Sequence, residues 1–311
     1  MRVPGTGKFY AGSCVRPAKE DGYVALKRGM QLARLIKVMG CRSLCLLAGA
    51  AGMCWAANVP APNVQQIVQR SEQAIAADWS HAPEYSYVER DVESKRDSEP
   101  SVKTYQVLMI DGSPYNRLIA IDDKPLSSAD QAEEVRKLQS EVQKRQQESE
   151  RARQKRIDKY MRERRQNNAM LKSMVSAFDF QLVGEETVDG HPCWVLDATP
   201  KPGFEPVSRE TKVLKGMRGR LWIDEASGQW AKVQAEVFQT VSLYGVFAKV
   251  RPGTRFMLEQ EPVAPHVWLP KHFTTQVNAS ALGFFNENSV DDETYSKYEP
   301  MSQTLSQLVT R

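Results

Sequence analysis

Two Asp-Gly dipeptides, at positions 111–112 and 189–190, constrain the fold of this chain more than any other feature of its sequence. Each lies between two short runs rich in apolar and β-branched residues. The runs are residues 104–110 and 115–121 for the first dipeptide, and residues 178–183 and 191–199 for the second. Because Asp-Gly readily adopts the backbone angles of a tight hairpin turn, each pair of runs is predicted to form two adjacent antiparallel strands.

Further strand-like segments complete the pattern. They are residues 85–92, 220–224, 230–240, 254–260, 271–278 and 282–285. Within residues 230–240, charged or amide side chains alternate with Val233, Ala235 and Val237, which is typical of a strand with one solvated and one buried face. About nine strands in hairpin order, with no repeat of roughly 20 to 50 residues, predict an α+β fold with an antiparallel sheet.

Two segments are predicted to be helical. Residues 63–79 carry apolar side chains at helical spacing and form an amphipathic N-terminal helix. Residues 126–183 contain neither Gly nor Pro, and a capping box of Ser128 and Gln131 marks the beginning of a second helix over about 129–176. This helix would be on the order of 70 Å long. Its middle has almost no apolar residues, so we expect a long, charged helix that protrudes or bends, with a break near Asn167 and Asn168.

Residues 1–57 have the three parts of a secretory signal. Arg34, Lys37 and Arg42 form a positive flank, and small residues close the segment after an apolar run at 44–53. That run is far shorter than the roughly 20 residues needed to span a bilayer. This leader holds nine of the 42 basic and two of the 38 acidic side chains, so the remainder is slightly acidic, with 33 and 36. The sequence therefore predicts an exported protein of the periplasm or cell envelope.

Cleavage of the signal peptide is expected after Ala56 or Ala57, and a lipoprotein signal with Cys54 as its lipidated residue is the alternative. Four of the five cysteines lie in the leader, which leaves Cys193 without a disulfide partner. An ordinary hydrophobic core must then hold the mature chain, and Cys193 is expected to be a small buried residue. We assign residues 58–299 to one domain with a helical insertion at 128–177, and residues 300–311 to a tail.

The order of helix, three-strand meander, helical insertion and long meander resembles the periplasmic lipoprotein-carrier (LolA-like) superfamily, including outer-membrane lipoprotein-sorting proteins, over most of residues 60–298. Two local features carry the resemblance. They are the strand entry DGHPCWVL at 189–196 and the strand LWID at 221–224, which turns at Ser227-Gly228 and returns at Trp230. The resemblance implies a curved antiparallel sheet, an incomplete β-barrel, whose concave side is partly covered by helices and holds acyl chains or another apolar group.

Two strands agree with this implication because both of their faces are apolar. They are residues 105–110 and 193–198. Such strands are covered on both sides, either by two packed layers of ordinary core or by one such layer and a lined cavity. The residues expected to line the cavity are Tyr105, Val107, Met109, Trp194, Leu196, Trp222, Val233, Val237 and Phe256.

No catalytic centre, metal site or cofactor is predicted. His266 and His272 are separated by Pro270 and no acidic partner is expected near them, and the chain has no G-x-S-x-G nucleophile elbow. The acidic residues 291–293 lie in a mostly polar stretch and are expected in a solvated loop. An enzyme is therefore not expected.

The strongest compositional signal is at residues 131–165, which contain twelve basic and seven acidic side chains. Export and a single aromatic residue, Tyr160, argue against nucleic acid as a partner. The segment could meet anionic lipid headgroups or an acidic partner, or its Glu and Arg could stabilise a solvated helix through pairs four residues apart. Two functions remain open. One is a carrier for a lipid, a lipidated protein or another apolar group, and the other is an envelope regulatory or scaffolding protein that uses this charged helix.

Overall fold

A computed structural model of the chain describes residues 63–80, 85–95, 98–243, 248–281 and 285–300. The leader, most of the strand candidate at 282–285 and nearly all of the tail at 300–311 lie outside the described residues. Within the described ranges, three α-helices, one 3₁₀ helix and thirteen strands are formed. No helix in this part of the chain combines the length and the apolar character needed to cross a membrane.

The helices are α1 (Val64–Ser80), α2 (Ser128–Gln146), α3 (Glu150–Ala177) and the 3₁₀ helix Glu210–Gly216. The strands are β1 (Tyr85–Lys95), β2 (Ser101–Ile110), β3 (Ser113–Ile121), β4 (Lys124–Pro125), β5 (Phe178–Val188), β6 (His191–Pro200), β7 (Met217–Asp224), β8 (Trp230–Val237), β9 (Val241–Ser242), β10 (Ala248–Val250), β11 (Arg255–Ala264), β12 (Val267–Ala281) and β13 (Phe285–Pro300).

All of these strands belong to one antiparallel sheet, which is curved and does not close into a barrel. Eleven strands lie in the order β4-β3-β2-β1-β13-β12-β11-β8-β7-β6-β5, and β9 and β10 are added at the end of β12. The first and last strands along the chain, β1 and β13, are neighbours in the sheet, with Tyr85 opposite Pro300. This pairing joins the N-terminal meander to the C-terminal one. The predicted α+β fold with a curved, open antiparallel sheet is confirmed.

Both Asp-Gly pairs form two-residue hairpin turns. The φ angles are 46° and 85° at Asp111 and Gly112, and 48° and 85° at Asp189 and Gly190. Positive angles at both central positions are those of the turn that matches the twist of paired strands. The two predicted hairpins are therefore confirmed, although β2 and β5 extend further than the sequence indicates.

The charged segment forms two helices, so the prediction of one long helix with a break near Asn167 and Asn168 is wrong. The chain leaves α2 after Gln146, and Ser149 caps α3 by accepting a hydrogen bond from the backbone N–H of Ala152 at 3.3 Å. A serine at this position satisfies an N–H group of a new first turn, which favours a fresh helix start over continuation.

The cap of α2 also lies one residue earlier than predicted. The hydroxyl of Ser127, and not that of Ser128, accepts from the backbone N–H of Asp130 at 3.2 Å, and it donates to the Asp130 carboxylate at 2.6 Å. Ser128 is the first residue within the helix. Two adjacent serines offer the same local signal, so the sequence alone does not distinguish them.

The acidic residues 291–293 lie within β13, so their assignment to a solvated loop is wrong. In this strand Glu293 is opposite Phe273 of β12, and Asp292 is opposite Thr274. Consecutive acidic side chains give no alternation of apolar and polar residues, so the sequence does not indicate a strand here. Pairing with β12 on one side and β1 on the other determines the extended conformation.

The two faces of the sheet are covered differently. We call the face under α1, the end of α3 and the 3₁₀ helix the inner face, and the opposite one the outer face. The inner face carries the largest buried apolar cluster, to which all three of these helices contribute. On the outer face, α2 packs against β2 and β3 through Leu138, which contacts Leu108 and Ile110. The α2–α3 pair therefore passes around the β2–β3 turn from one face of the sheet to the other.

Candidate functional site

A trough of small residues crosses the inner face between two phenylalanines. Backbone pairing aligns one residue from each of five adjacent strands, β5, β6, β7, β8 and β11. The row consists of Phe180, Ala198, Gly219, Ala235 and Phe256. Because side chains on one face repeat every second residue, the three small members leave a depression between two aromatic walls. We call this row the apolar trough.

A second row beside the trough consists of larger apolar residues. It is formed by Leu182, Leu196, Leu221, Val233, Leu258 and Phe273, which are opposite one another on six adjacent strands. Five of these side chains are buried in the inner cluster, and Leu182 is partly buried against it. The trough is thus bordered along its length by a continuous apolar ridge.

Three residues form a roof over the trough. Met174 and Val175 come from the last turns of α3, and Leu214 comes from the 3₁₀ helix. The space left between roof and trough is about 20 Å³, which is about the size of one water molecule. The roof side chains therefore occupy the space that an apolar ligand would need, and the site is closed.

The helix α1 is fixed to the sheet beside this site. The hydroxyl of Ser71 accepts a hydrogen bond from the indole N–H of Trp230 at 2.6 Å, and both groups are buried. Arg70 donates from its guanidinium to the backbone carbonyls of Glu225 and Ala226 in the β7–β8 turn. A buried polar pair of this kind sets the position of the helix on the inner face.

The structure brings most of the predicted lining residues to the inner cluster. These are Tyr105, Val107, Trp194, Leu196, Val233, Val237 and Phe256. Met109 is buried on the same side of β2 as Val107. Trp222 instead lies on the outer face, in a small cluster with Cys193, Val195, Ala231 and Trp268. Only Phe256 of the predicted residues belongs to the apolar trough itself.

The sequence did not indicate the rest of the trough. Ala198, Gly219 and Ala235 are small, so they contribute little to a hydrophobic pattern, and their alignment depends on strand register. The one available signal is the alternation in β8, which places Ala235 with Val233 and Val237 on the buried face. Gly219 is required by close packing, because a Cβ atom there would lie 2.6 Å from the carbonyl oxygen of Gln234.

The outer face carries a groove of different chemistry. Its volume is about 820 Å³, and its lining includes three arginines and two carboxylates. Arg220 pairs with Asp197 at 2.6 Å, and Glu236 pairs with both Arg218 and Arg255. The hydrogen bond to Asp197 raises the pKa of Arg220 above its usual value. Because these ion pairs leave one positive charge in excess and keep water nearby, this groove is a poor site for an apolar ligand.

Two histidines among the described residues contact carboxylates. Nε2 of His272 lies 2.9 Å from a carboxylate oxygen of Asp292, so the expectation that this histidine has no acidic partner nearby is wrong. Asp224 accepts from the hydroxyl of Ser227 at 2.6 Å and lies 3.5 Å from Nδ1 of His191, so the carboxylate stands between the other two groups. A hydrolase triad needs the histidine in that middle position. Among the described residues, no three His, Cys, Asp or Glu side chains are grouped so that they could hold a metal ion. Burial raises the pKa of the Cys193 thiol to about 11.

Comparison with protein-family models gives no match, and comparison with curated proteins gives none either. Among solved structures, the chain matches a LolA superfamily protein from Nitrosomonas europaea at 12% identity, with a TM-score of 0.29, over 77% of this chain and 94% of that one. This is the superfamily that the sequence was predicted to resemble.

Two other solved structures are similar. One is described as an outer membrane lipoprotein-sorting protein domain from Vibrio parahaemolyticus, at 9% identity and a TM-score of 0.34, over 76% of this chain and 93% of that domain. The other is the MucA/MucB complex of Pseudomonas aeruginosa, at 13% identity and a TM-score of 0.21, over 76% of this chain and 98% of the matched one. The argument for a function therefore rests on the residues of the trough and its roof.

Proposed function

We propose that the protein is an exported carrier or binding protein of the periplasm or cell envelope, and that it shelters a lipid, an acyl chain or another apolar group in the apolar trough. The apolar ligand is either free or attached to a protein. The observation that supports this proposal is the row of Ala198, Gly219 and Ala235 between Phe180 and Phe256. The side chains that fill the space above this row come from α3 and the 3₁₀ helix, and not from the sheet.

Ligand entry requires that the roof move. Met174 is unbranched and adapts its shape readily, and it lies near the C-terminal end of α3, where only Val175 and two small residues precede β5. A hydrocarbon chain would replace the contacts that Met174 and Val175 make with the trough. Each buried methylene is worth about 0.8 kcal/mol, so six of them offset roughly 5 kcal/mol of roof opening.

The proposal is tested by filling the trough. Ala235→Phe places a large side chain between the roof and the sheet, and it should weaken binding of a dansyl-labelled undecanoic acid at least tenfold, measured by fluorescence titration. The matched control is Gln234→Phe, because Gln234 is the preceding residue of the same strand and is exposed on the outer face. The control should bind the probe as the unaltered protein does.

Native mass spectrometry of the purified protein provides an independent measurement. We expect a co-purifying lipid on the unaltered protein and on Gln234→Phe, and less of it on Ala235→Phe. Far-ultraviolet circular dichroism verifies that both variants are folded. If the unaltered protein carries no lipid and does not bind the probe, the carrier function is wrong.

A second candidate function is that of an envelope regulatory or scaffolding protein that binds a partner through α2 and α3. The observation that favours it is the set of exposed cations on α3 that form no ion pair with any of the described residues. Deletion of residues 143–156 would be a poor test, because it removes Arg145 and Arg156, which bind the β2–β3 turn. Charge substitutions on the exposed face of α3 separate the two functions, since they leave the trough intact.

A further inference from the structure

Five cations follow one face of α3. They are Arg151, Lys155, Lys159, Arg162 and Arg165, and all five are exposed. Their spacing of four, four, three and three residues keeps them on one side of the helix, over a length of about 20 Å. We call these five residues the basic stripe.

The stripe faces away from the rest of the protein. On the other side of α3, Arg153 pairs with the carboxylate of Asp111 at 2.7 Å, and Arg156 donates to the Asp111 backbone carbonyl at 3.0 Å. The Gly112 turn also lies against Ile157. These contacts fix the rotation of α3, so that the basic stripe is directed towards solvent.

Within the described residues, none of the five side chains has an ion pair within 4 Å. The contrast with α2 is clear, because Lys137 there contacts Glu133 at 2.9 Å and Glu134 at 2.8 Å, and Arg145 contacts Glu141 at 2.7 Å. Solvated helices gain stability from such opposite charges four residues apart. In α2 the charges do serve that purpose, as one of the sequence interpretations predicts.

In α3 the pattern is reversed. Arg151 and Lys155, and then Lys155 and Lys159, are like charges four residues apart, which destabilises a helix by a few tenths of a kcal/mol per pair. Asp158 lies within the stripe by helical position, three residues after Lys155 and four before Arg162, but its carboxylate accepts a hydrogen bond from Gln154 at 2.8 Å and forms no ion pair within 4 Å with the described residues. A positive surface that costs helix stability is expected where an anionic partner neutralises it.

We infer that the basic stripe docks the protein on the surface of a membrane that contains anionic phospholipids. The stripe has no aromatic side chain, which suits a layer of phosphate headgroups better than the stacking surfaces of nucleic acid. Its helix also supplies Met174 and Val175 of the roof. Docking would therefore hold the helix that carries the roof close to the membrane from which a lipid is taken, or to which it is delivered. The biological purpose of docking rests on the proposed carrier function, whereas binding of the stripe to anionic vesicles does not depend on it.

Co-sedimentation with lipid vesicles tests the inference. The purified protein should bind vesicles of phosphatidylcholine with about one third phosphatidylglycerol, and it should not bind vesicles of phosphatidylcholine alone. Each cation near such a surface adds roughly fivefold to binding, and salt screens the attraction. Lys155→Glu with Lys159→Glu should therefore weaken binding at least tenfold, and raising the salt from about 0.1 to 0.5 M should do the same.

The matched control is Lys103→Glu with Lys124→Glu. Both lysines are exposed, lie outside α3 and produce the same change in net charge. The control should retain most of the vesicle binding. Equal loss in both double variants, or binding that is insensitive to salt, would overturn the docking site. Binding to polyglutamate with none to anionic vesicles would also overturn it, and would assign the stripe to an acidic protein.

Failure of this inference and failure of the carrier function are distinguishable. The stripe variant should bind the dansyl-labelled undecanoic acid in solution as the unaltered protein does, because the trough is unchanged. Vesicle binding without any binding of the fatty-acid probe would retain the docking site and remove the carrier function.

Discussion

Arg145 of α2 donates from Nη1 to the backbone carbonyl of Ser113 at 2.8 Å, and the same nitrogen lies 2.7 Å from the carbonyl oxygen of Ile110. The most charged segment of the chain is thereby attached to the tip of the β2–β3 hairpin. The guanidinium is buried, and its Nε donates to Glu141 at 2.7 Å. One side chain thus fixes the point at which α2 and α3 pass around the β2–β3 turn.

Replacement of this arginine should be costly. We expect Arg145→Met to lower the free energy of unfolding by about 2 to 4 kcal/mol, because two buried carbonyls and a carboxylate lose a charged donor. The adjacent Lys144→Met is the control, since the Lys144 side chain is 70% exposed and should change stability by less than about 0.5 kcal/mol. Urea denaturation measures both. Equal stability of the two variants would show that the hairpin attachment is unimportant.

The glycine in the trough should not accept a side chain. A Cβ atom at Gly219 would lie 2.6 Å from the Gln234 carbonyl oxygen and 3.2 Å from Cβ of Ala235, so Gly219→Ala should destabilise the protein by about 1 to 3 kcal/mol. Gly184 in β5 is the control, because a Cβ atom there meets nothing within 4 Å. We expect Gly184→Ala to be neutral or slightly stabilising. Thermal unfolding of both variants measures the difference.

The thiol of Cys193 should be unreactive in the folded protein. It is fully buried, and burial followed by the charge of Asp224 raises its pKa to about 11, so the reactive thiolate is scarce at pH 8. In a variant whose four leader cysteines are serine, Ellman's reagent should label Cys193 only after denaturation. Thr187→Cys, at an exposed position of β5, should be labelled within minutes under native conditions. Rapid labelling of Cys193 itself would contradict the packing of the outer cluster.

Alkaline pH should destabilise the fold through two tyrosines of β13. Burial raises the pKa of Tyr295 and Tyr298 well above the usual value, and the nearby Glu293 adds to the effect on Tyr295. The folded state therefore keeps these protons at a pH where the unfolded chain releases them. Stability is unaffected below about pH 10 and falls above it, by up to about 1.4 kcal/mol per tyrosine at pH 11.

Urea denaturation between pH 8 and 11 checks this expectation. Tyr298→Phe should reduce the loss of stability above pH 10, because one of the two groups no longer ionises on unfolding. The variant also loses the hydrogen bond from the Tyr298 hydroxyl to the carbonyl of Pro270, so its stability should be lower at pH 8. A midpoint that is constant from pH 8 to 11 in the unaltered protein would contradict the buried placement of both rings.

Much of the local structure could be predicted from the sequence. Asp111-Gly112 and Asp189-Gly190 turn the chain as expected, because their backbone preferences act over two residues. The alternation around Val233 also shows which side chains of β8 share a face. The position of Trp222 could not be predicted in this way. Alternation places its side chain on the other face of the sheet from Leu221 and Ile223, but does not show which face the helices cover. Trp222 lies on the outer face and Val233 on the inner face, so the position of Trp222 does not support the prediction that both line one site.

The sequence by itself determined the α+β class, the two Asp-Gly hairpins and the buried character of Cys193, since these depend on local backbone preference and on residue hydrophobicity. Only the tertiary structure decided the pairing of β1 with β13, the new helix start after Ser149 and the row of small residues beneath Met174. Each of these depends on contacts between residues far apart in the chain, or on a choice between local signals of equal strength. A glycine or alanine becomes part of a trough only when the strands on both sides are in register.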